Sequence, residues 1–380
     1  MPTWLDNDRA LADFVGSLPA GRPVALDTEF DWTKSYYPVL ALVQIGIDRE
    51  RIGVADALAI RDWRPLRDIL TDADRRILLF SGGNDMPLLV RTCGGPKVCL
   101  PRNIFDVQLA SVFCGGEKLS PSLKAVVQAQ LGIELDKNET RSDWTMRPLT
   151  DSQIAYAAGD VALLPELAAR FADRLAENGN ADAFADEMSL WERPEAYAEA
   201  PAELAWRRLK SFNSYSINIV RTRARVLAGW REKAARQRNL PRGWILSDEQ
   251  LTWLASQNPQ NAAQMNAMPF AGHGAGRHHR DEMLAVLREA KPAPEDMGTP
   301  PIKTSYLRAR MNVMRERLIG LVDSRAKTRH IPEELLASHR ELETIIYNRL
   351  TDRPYRESRI FTGWRAALLQ PVLDEILSGE

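Results

Sequence analysis

The chain of 380 residues is 44% hydrophobic and 27% charged, the balance of a globular protein long enough for two or three domains. This excludes collagen-like, mucin-like and wholly disordered chains, and the longest apolar run, Val39 to Ile47, falls far short of the roughly 20 residues that cross a bilayer. The formal net charge of −1 conceals an asymmetry: residues 1–200 carry 21 Lys+Arg against 31 Asp+Glu, a net of −10, and residues 201–380 carry 29 against 20, a net of +9.

The opening segment, MPTWLDNDRA, has neither a basic flank nor an apolar core, so no secretory signal is expected. Pro23 to Phe30 (PVALDTEF) is β-rich. Leu40 to Ile47 and Arg51 to Ala55 follow closely, and antiparallel neighbours are expected because a parallel crossover needs a dozen or more residues. Arg76 to Phe80 reads as a short buried strand ending at Ser81-Gly82-Gly83. Asn84 is then placed to cap a helix over Met86, Leu89 and Val90. Another strand is expected near Asn103 to Asp106. From Ser120 the spacing of Leu123, Val126, Val127 and Leu131 is helical, and Asp151 to Leu175 reads as one long helix.

Trp191 to Pro201 (WERPEAYAEAP) has the composition of a linker, and no strand set follows it. Residues 202–290 read as short amphipathic helices broken at Leu240-Pro-Arg-Gly243 and Asn258-Pro259. A second proline-rich break, Lys291 to Pro301, precedes helical text at Tyr306–Ala326, Pro332–Asn348 and Gly363–Leu377. The expected division is a mixed α/β sheet domain over 1–198 and two small all-α domains over 199–292 and 300–380. Cys93, Cys99 and Cys114 form neither a CxxC pair nor a disulfide framework, which fits a reducing, cytoplasmic location.

The sharpest chemical feature is Asp27-Thr28-Glu29. Alternation along a strand turns Asp27 and Glu29 to one side, and they follow the apolar Val24-Ala25-Leu26, where an acid needs a partner. Asp85 stands at the expected helix start, and Tyr156 and Asp160 share a helix face by their i,i+4 spacing. Four oxygen-bearing acids suit Mg²⁺ or Mn²⁺. Two such ions roughly 3.5–4 Å apart clamp a phosphodiester displacement, with Tyr156 holding the attacking water. Histidine is absent before residue 273, so an imidazole base is not to hand in this half.

This set of motifs, Asp27-Thr-Glu29, Asp85 and Tyr156-Ala-Ala-Gly-Asp160, resembles the DEDD exonuclease superfamily in its tyrosine subclass, where a tyrosine precedes the last acid by four. The flanking text is similar to the ribonuclease D family at Tyr36-Tyr37-Pro38, Leu42-Val43-Gln44-Ile45, Asp106-Val-Gln-Leu-Ala110, Leu135-Asp136-Lys137, Ser142-Asp-Trp144 and Arg147-Pro148-Leu149. The likeness spans about residues 20–175. It implies a ribonuclease-H-like α/β exonuclease domain that hydrolyses RNA from the 3′ end and releases 5′-monophosphates. It also implies two divalent cations, Mg²⁺ or Mn²⁺, held by Asp27, Glu29, Asp85 and Asp160, with Tyr156 completing the catalytic set. Thr28, Phe30, Gln44 and Asn84 are expected to touch nucleic acid. One departure is Phe80, where the family commonly has a histidine five residues before the second-motif acid.

In the basic half, Trp206-Arg-Arg-Leu-Lys210, Trp230 to Arg236 and Asn239-Leu-Pro-Arg242 resemble the helicase-and-RNase-D C-terminal (HRDC) domain, and Gly363-Trp-Arg365 resembles the end of a second, divergent copy. Arginines such as Arg221 and Arg225 can neutralise phosphates. The implied partner is RNA with a single-stranded 3′ end, typically precursor tRNA, acted on by a monomer away from membranes. His273, His278 and His279 lie in a glycine-rich stretch without a fourth zinc ligand, so a basic loop is expected there. Two rivals remain: a DNA 3′→5′ exonuclease of the same superfamily, which the catalytic residues do not separate from an RNA enzyme, and an RNA-binding scaffold with an inert nuclease fold.

Overall fold

The computed structural model describes residues 1–116, 118–135, 139, 142–212, 218–266, 279–297 and 304–378. It divides into two compact units, one of Met1–Phe30, Leu40–Tyr197 and Ile302–Glu380, the other of Asp31–Val39 and Ala198–Pro301. Among the described residues, no helix is long and apolar enough to cross a membrane.

The first unit is built on a six-stranded mixed sheet of β1 (Thr3–Leu5), β2 (Val24–Asp31), β3 (Val39–Gly46), β4 (Ile52–Asp56), β5 (Ile77–Leu79) and β6 (Ile104–Asp106), in the order β1-β4-β3-β2-β5-β6. β3 and β4 are antiparallel, as their spacing requires, whereas β1 with β4, β2 with β5 and β5 with β6 are parallel. Leu26, Leu42, Ile45, Val54, Ile77 and Leu78 are fully buried, and each contributes about 1.5–3 kcal/mol by leaving water. Because β2 is an interior strand, its eight residues can hold acids at a fixed place. The short outer strand β1 is only three residues long and carried no readable alternation.

Helices α1 (Asp8–Gly16), α2 (Arg64–Thr71), α3 (Asp85–Thr92), α4 (Val107–Phe113), α5 (Leu123–Leu131), α6 (Asp151–Ala162), α7 (Leu164–Glu177) and α8 (Ala181–Ser189) accompany the sheet. The expected single helix over 151–175 is therefore two helices that part at Leu163. Pro165 lies in the first turn of α7, where its missing N–H costs nothing; inside a continuous helix it would forfeit a hydrogen bond and clash. Thr150 and Gln153 form a reciprocal capping box that fixes the start of α6.

The second unit holds α9 (Asn218–Arg238), α10 (Arg242–Ile245), α11 (Asp248–Gln257), α12 (Ala262–Met265) and α13 (Arg280–Arg288). Its core includes Leu227, Leu251, Leu254 and Met283, with Trp206, Trp230 and Trp253 packed half-buried against it. α9, at 21 residues, is longer than the short helices expected. Glu232 on α9 is 1% exposed. It accepts hydrogen bonds from the Tyr36 hydroxyl at 2.6 Å and from Arg236 and Arg242.

The remaining helices, α14 (Ser305–Arg329), α15 (Glu333–Leu336), α16 (His339–Leu350), α17 (Gly363–Leu369) and α18 (Val372–Ser378), belong to the first unit. Trp364 packs on Phe113 with ring centroids 5.2 Å apart, and Arg365 pairs with Glu187 of α8 at 2.6 Å. α9–α11 and α14–α16 follow one pattern at constant spacing. A long helix ends at a left-handed residue (Asn239, φ 51°; His330, φ 54°). A proline comes two residues later (Pro241, Pro332), then a four-residue helix. A serine (Ser247, Ser338) caps the next helix by accepting from the third residue on.

Candidate active site

The carboxylates gather where β2 outruns β5. Val24 and Ala25 pair with Ile77 and Leu78, β5 ends at Leu79, and β2 continues through Asp31. The chain leaves β5 through a tight turn in which Ser81 adopts φ 61°, a left-handed conformation costing roughly 1–2 kcal/mol in a non-glycine residue. A Cβ on Gly82 would lie 2.8 Å from Leu79, so only glycine fits there without displacing its neighbour. The buried Asp106 holds this turn by accepting from the backbone N–H of Ser81 and Gly82 at 3.3 and 3.0 Å. The turn delivers Asp85 at the first position of α3.

Asp27, Glu29 and Asp160 each offer a carboxylate oxygen, and these three atoms lie within 4.8 Å of one another. Asp85 is 8% exposed and accepts a hydrogen bond from the Thr28 hydroxyl. The electrostatics agree with the geometry. Burial pushes the Asp27 carboxyl well above the usual carboxylate range, and the charges of Asp85, Asp160 and Glu29 push it further. Glu29 rises to about 8 through burial, then through Asp160 and Asp85. Burial lifts Asp160 to about 7. Asp85 is also raised, by burial first, with the Thr28 hydroxyl opposing. Asp27 and Glu29 are thus raised by burial and by the charges of the neighbouring acids. The oxygen-only donor set of the four acids fits hard divalent cations.

α6 supplies the other side. The Ala157 and Ala158 side chains are buried, while Tyr156 and Asp160 are half-buried and line one small cavity. The Tyr156 ring lies 6.0 Å from that of the buried Trp144. The structure thus gathers Asp27, Glu29 and Asp160, with Asp85 close enough to shift two of them, and sets Tyr156 beside Asp160.

The residues expected at the nucleic acid are placed differently. Gln44 is fully buried with no partner for either amide atom, so it has no surface to offer an RNA. Thr28 is 5% exposed and is spent on Asp85. Arg225 bonds Asp296 at 2.8 Å, so its charge is neutralised inside the helical unit. Phe30 and Arg221 are half-buried. Asn84 is exposed at the cap position of α3, but its side chain makes no capping bond. Of the three clustered histidines, His273 and His278 lie outside the described residues, and His279 sits 3.1 Å from Glu282. Sequence reasoning missed the supporting roles of Thr28 and Asp106. The signal of Asp106, an acid between a strand and a helix, is shared by many ordinary caps.

Comparison with known proteins identifies the chain's relatives. Residues 2–176 match the family model of the 3′-5′ exonuclease domain, and residues 221–287 match the HRDC domain. The chain is 30% identical to ribonuclease D of Escherichia coli (strain K12), over 98% of this chain and 97% of that protein. It is also 30% identical to ribonuclease D of Pseudomonas paraeruginosa, over 95% and 94%. The crystal structure of Escherichia coli RNase D, described as an exoribonuclease involved in structured RNA processing, superposes with a TM-score of 0.84 at 28% identity, covering 100% of this chain and 99% of that one.

Proposed function

We propose a mechanism on one premise: the chain belongs to the ribonuclease D family and is a hydrolytic 3′→5′ exoribonuclease. In this reading it is a tyrosine-subclass enzyme that removes one nucleotide at a time and releases 5′-monophosphates. Asp27, Glu29, Asp85 and Asp160 hold two divalent cations, Mg²⁺ or Mn²⁺. When bound, such cations neutralise charge on the scissile phosphate and favour in-line attack by water. Asp27 and Glu29 present their carboxylates from a strand locked in the sheet. Thr28 keeps the Asp85 carboxylate oriented. Tyr156 orients the attacking water through its phenol. The observation that carries this reading is the convergence of Asp27, Glu29 and Asp160 within 4.8 Å, from positions far apart in sequence.

The substrate in this reading is precursor tRNA, bound by a cytoplasmic monomer, with the single-stranded 3′ end at the acids. The helical regions over 199–292 and 300–380 serve as two HRDC-like domains that hold the RNA body. The shared pattern of α9–α11 and α14–α16 supports the repeat. The test is a 5′-labelled oligoribonucleotide incubated with purified protein. Wild type yields a ladder shortened from the 3′ end that EDTA abolishes. Asp27→Asn or Asp160→Asn lowers turnover by several orders of magnitude without lowering Tm. Tyr156→Phe costs on the order of 10²–10⁴. Wild-type rates in the Asp27→Asn/Asp160→Asn double variant would refute the mechanism.

A further inference from the structure

We infer that Arg147 is a positioning residue for Tyr156: it pins the segment leading into α6 to the sheet and, through the Trp144 indole, holds the phenol beside Asp160. The inference rests on the reading of Tyr156 as the group that orients the attacking water, and adds what orients Tyr156. Trp144 and Arg147 belong to sequence runs for which the proposed mechanism has no direct use. Residues 142–149 contain neither helix nor strand, yet Trp144 within them is 5% exposed. A buried side chain on such backbone needs an anchor, because no ladder of backbone hydrogen bonds fixes its place. Asp143 accepts from the backbone N–H and the hydroxyl of Thr145 at 3.0 and 2.6 Å, which ties the segment to itself and not to the sheet.

Arg147 supplies the anchor. Nε and Nη2 of its guanidinium grip the Asp56 carboxylate at 2.8 and 2.6 Å. Nη2 also donates to the Ala41 carbonyl at 3.1 Å, and Nη1 donates to the carbonyls of Trp144 and Met146 at 2.8 Å each. Every N–H of the guanidinium fork is thereby used. Asp56 ends β4 and Ala41 lies on β3, so one planar group joins two strands to the backbone of Trp144. A lysine, with its donors on a single point, does not span the carboxylate and these carbonyls at once. The Trp144 indole in turn lies 6.0 Å from the Tyr156 ring, tilted by 33°. Asp160 is seated by other means. A capping box starts α6, and its Ala157, Ala158 and Val161 are buried. A Cβ on Gly46 of β3 would come 3.1 Å from the Val161 side chain, so the helix lies close on the sheet there. Loosening Arg147 therefore disturbs the phenol while the carboxylates keep their places.

The experiment uses the full chain with Mn²⁺ and a labelled oligoribonucleotide, with Arg147→Lys made in the wild-type and Tyr156→Phe backgrounds. In wild type, Arg147→Lys should lower kcat by about 10–100-fold with KM unchanged, the effect of misplacing a group that acts in the transition state. Calorimetric Mn²⁺ binding should be that of wild type. In Tyr156→Phe, which already lacks the hydroxyl, the same substitution should cost less than about threefold, because residues that act through one another are not additive. Equal losses in the two backgrounds overturn the proposal. So does an undiminished kcat in Arg147→Lys, or weakened Mn²⁺ binding, the mark of a general loosening of the site. If Arg147→Lys fails to fold by circular dichroism, Trp144→Phe in the same two backgrounds carries the test with the same expected outcomes. If Tyr156→Phe itself keeps the wild-type kcat, the reading of Tyr156 fails and takes this proposal with it.

Discussion

Thr28 shows how a residue between two acids serves the site without facing it as they do. Its hydroxyl is buried against the Asp85 carboxylate, a contact across 57 positions of sequence that no local pattern could show. Asp27 and Glu29 were legible because strand alternation is a local rule. The hydroxyl that orients a third acid depends on where β5 stops. Removing a group that orients a metal-ligating carboxylate typically costs 10–100-fold in metal affinity. Thr28→Val should therefore weaken Mn²⁺ activation 10–100-fold, with Thr28→Ser restoring most of it, as a Mn²⁺ titration of the exonuclease rate will measure.

The same acids predict a pH dependence of the cation-free protein. Folded Glu29 and Asp160 titrate at about 8 and 7, against ordinary values of 4.5 and 3.8. Between pH 4 and 8 the folded state therefore holds protons that the unfolded chain has lost, and stability falls as pH rises. In EDTA, Tm should drop from pH 5 to pH 8. Mn²⁺ should raise Tm more at pH 8 than at pH 5, where protons compete for the same oxygens. Thermal melts of wild type beside Asp27→Asn/Glu29→Gln check this. A wild-type curve that is flat or rising in EDTA contradicts the assignment.

At the scale of elements, β2, β3, β5, β6 and α5 lie close to where hydrophobic patterning puts them. The misreading of 151–175 has a local cause: the apolar spacing runs on through Leu163 and Leu164, but Pro165 can stand only in the first turn of a new helix. Basic text was harder to weigh. Trp230 to Arg236 reads as a cationic stripe, yet its Arg231 pairs with Asp248 and its Arg236 with Glu232. Glu232 is a same-helix neighbour at i,i+4, whereas Asp248 opens α11, whose packing against α9 the sequence does not display. Burial works against the charge of Glu232, but hydrogen bonds from Arg242 and Tyr36 outweigh it and hold the carboxyl near 2. Breaking such a buried network by removing one partner costs roughly 3–5 kcal/mol. Glu232→Ala should lower the stability of the helical unit by about that amount in urea melts, whereas Tyr36→Phe should cost only about 1 kcal/mol.

For the whole molecule, the charge asymmetry has one structural counterpart: the acidic first half is where the three clustered carboxylates sit. The basic half offers less free charge than its composition suggests, since Arg225, Arg231, Arg236 and Arg242 are ion-paired internally. The convergence of Asp27 with Asp160 was legible only through recognised motifs, because spacing alone leaves each acid an ordinary surface group. Calorimetric titration of cation-free protein with Mn²⁺ tests that convergence most directly. Two ions should bind each wild-type chain, and binding should be lost or halved in Asp27→Asn and Asp160→Asn variants that retain wild-type circular dichroism. Undiminished binding of both ions by those variants would contradict it.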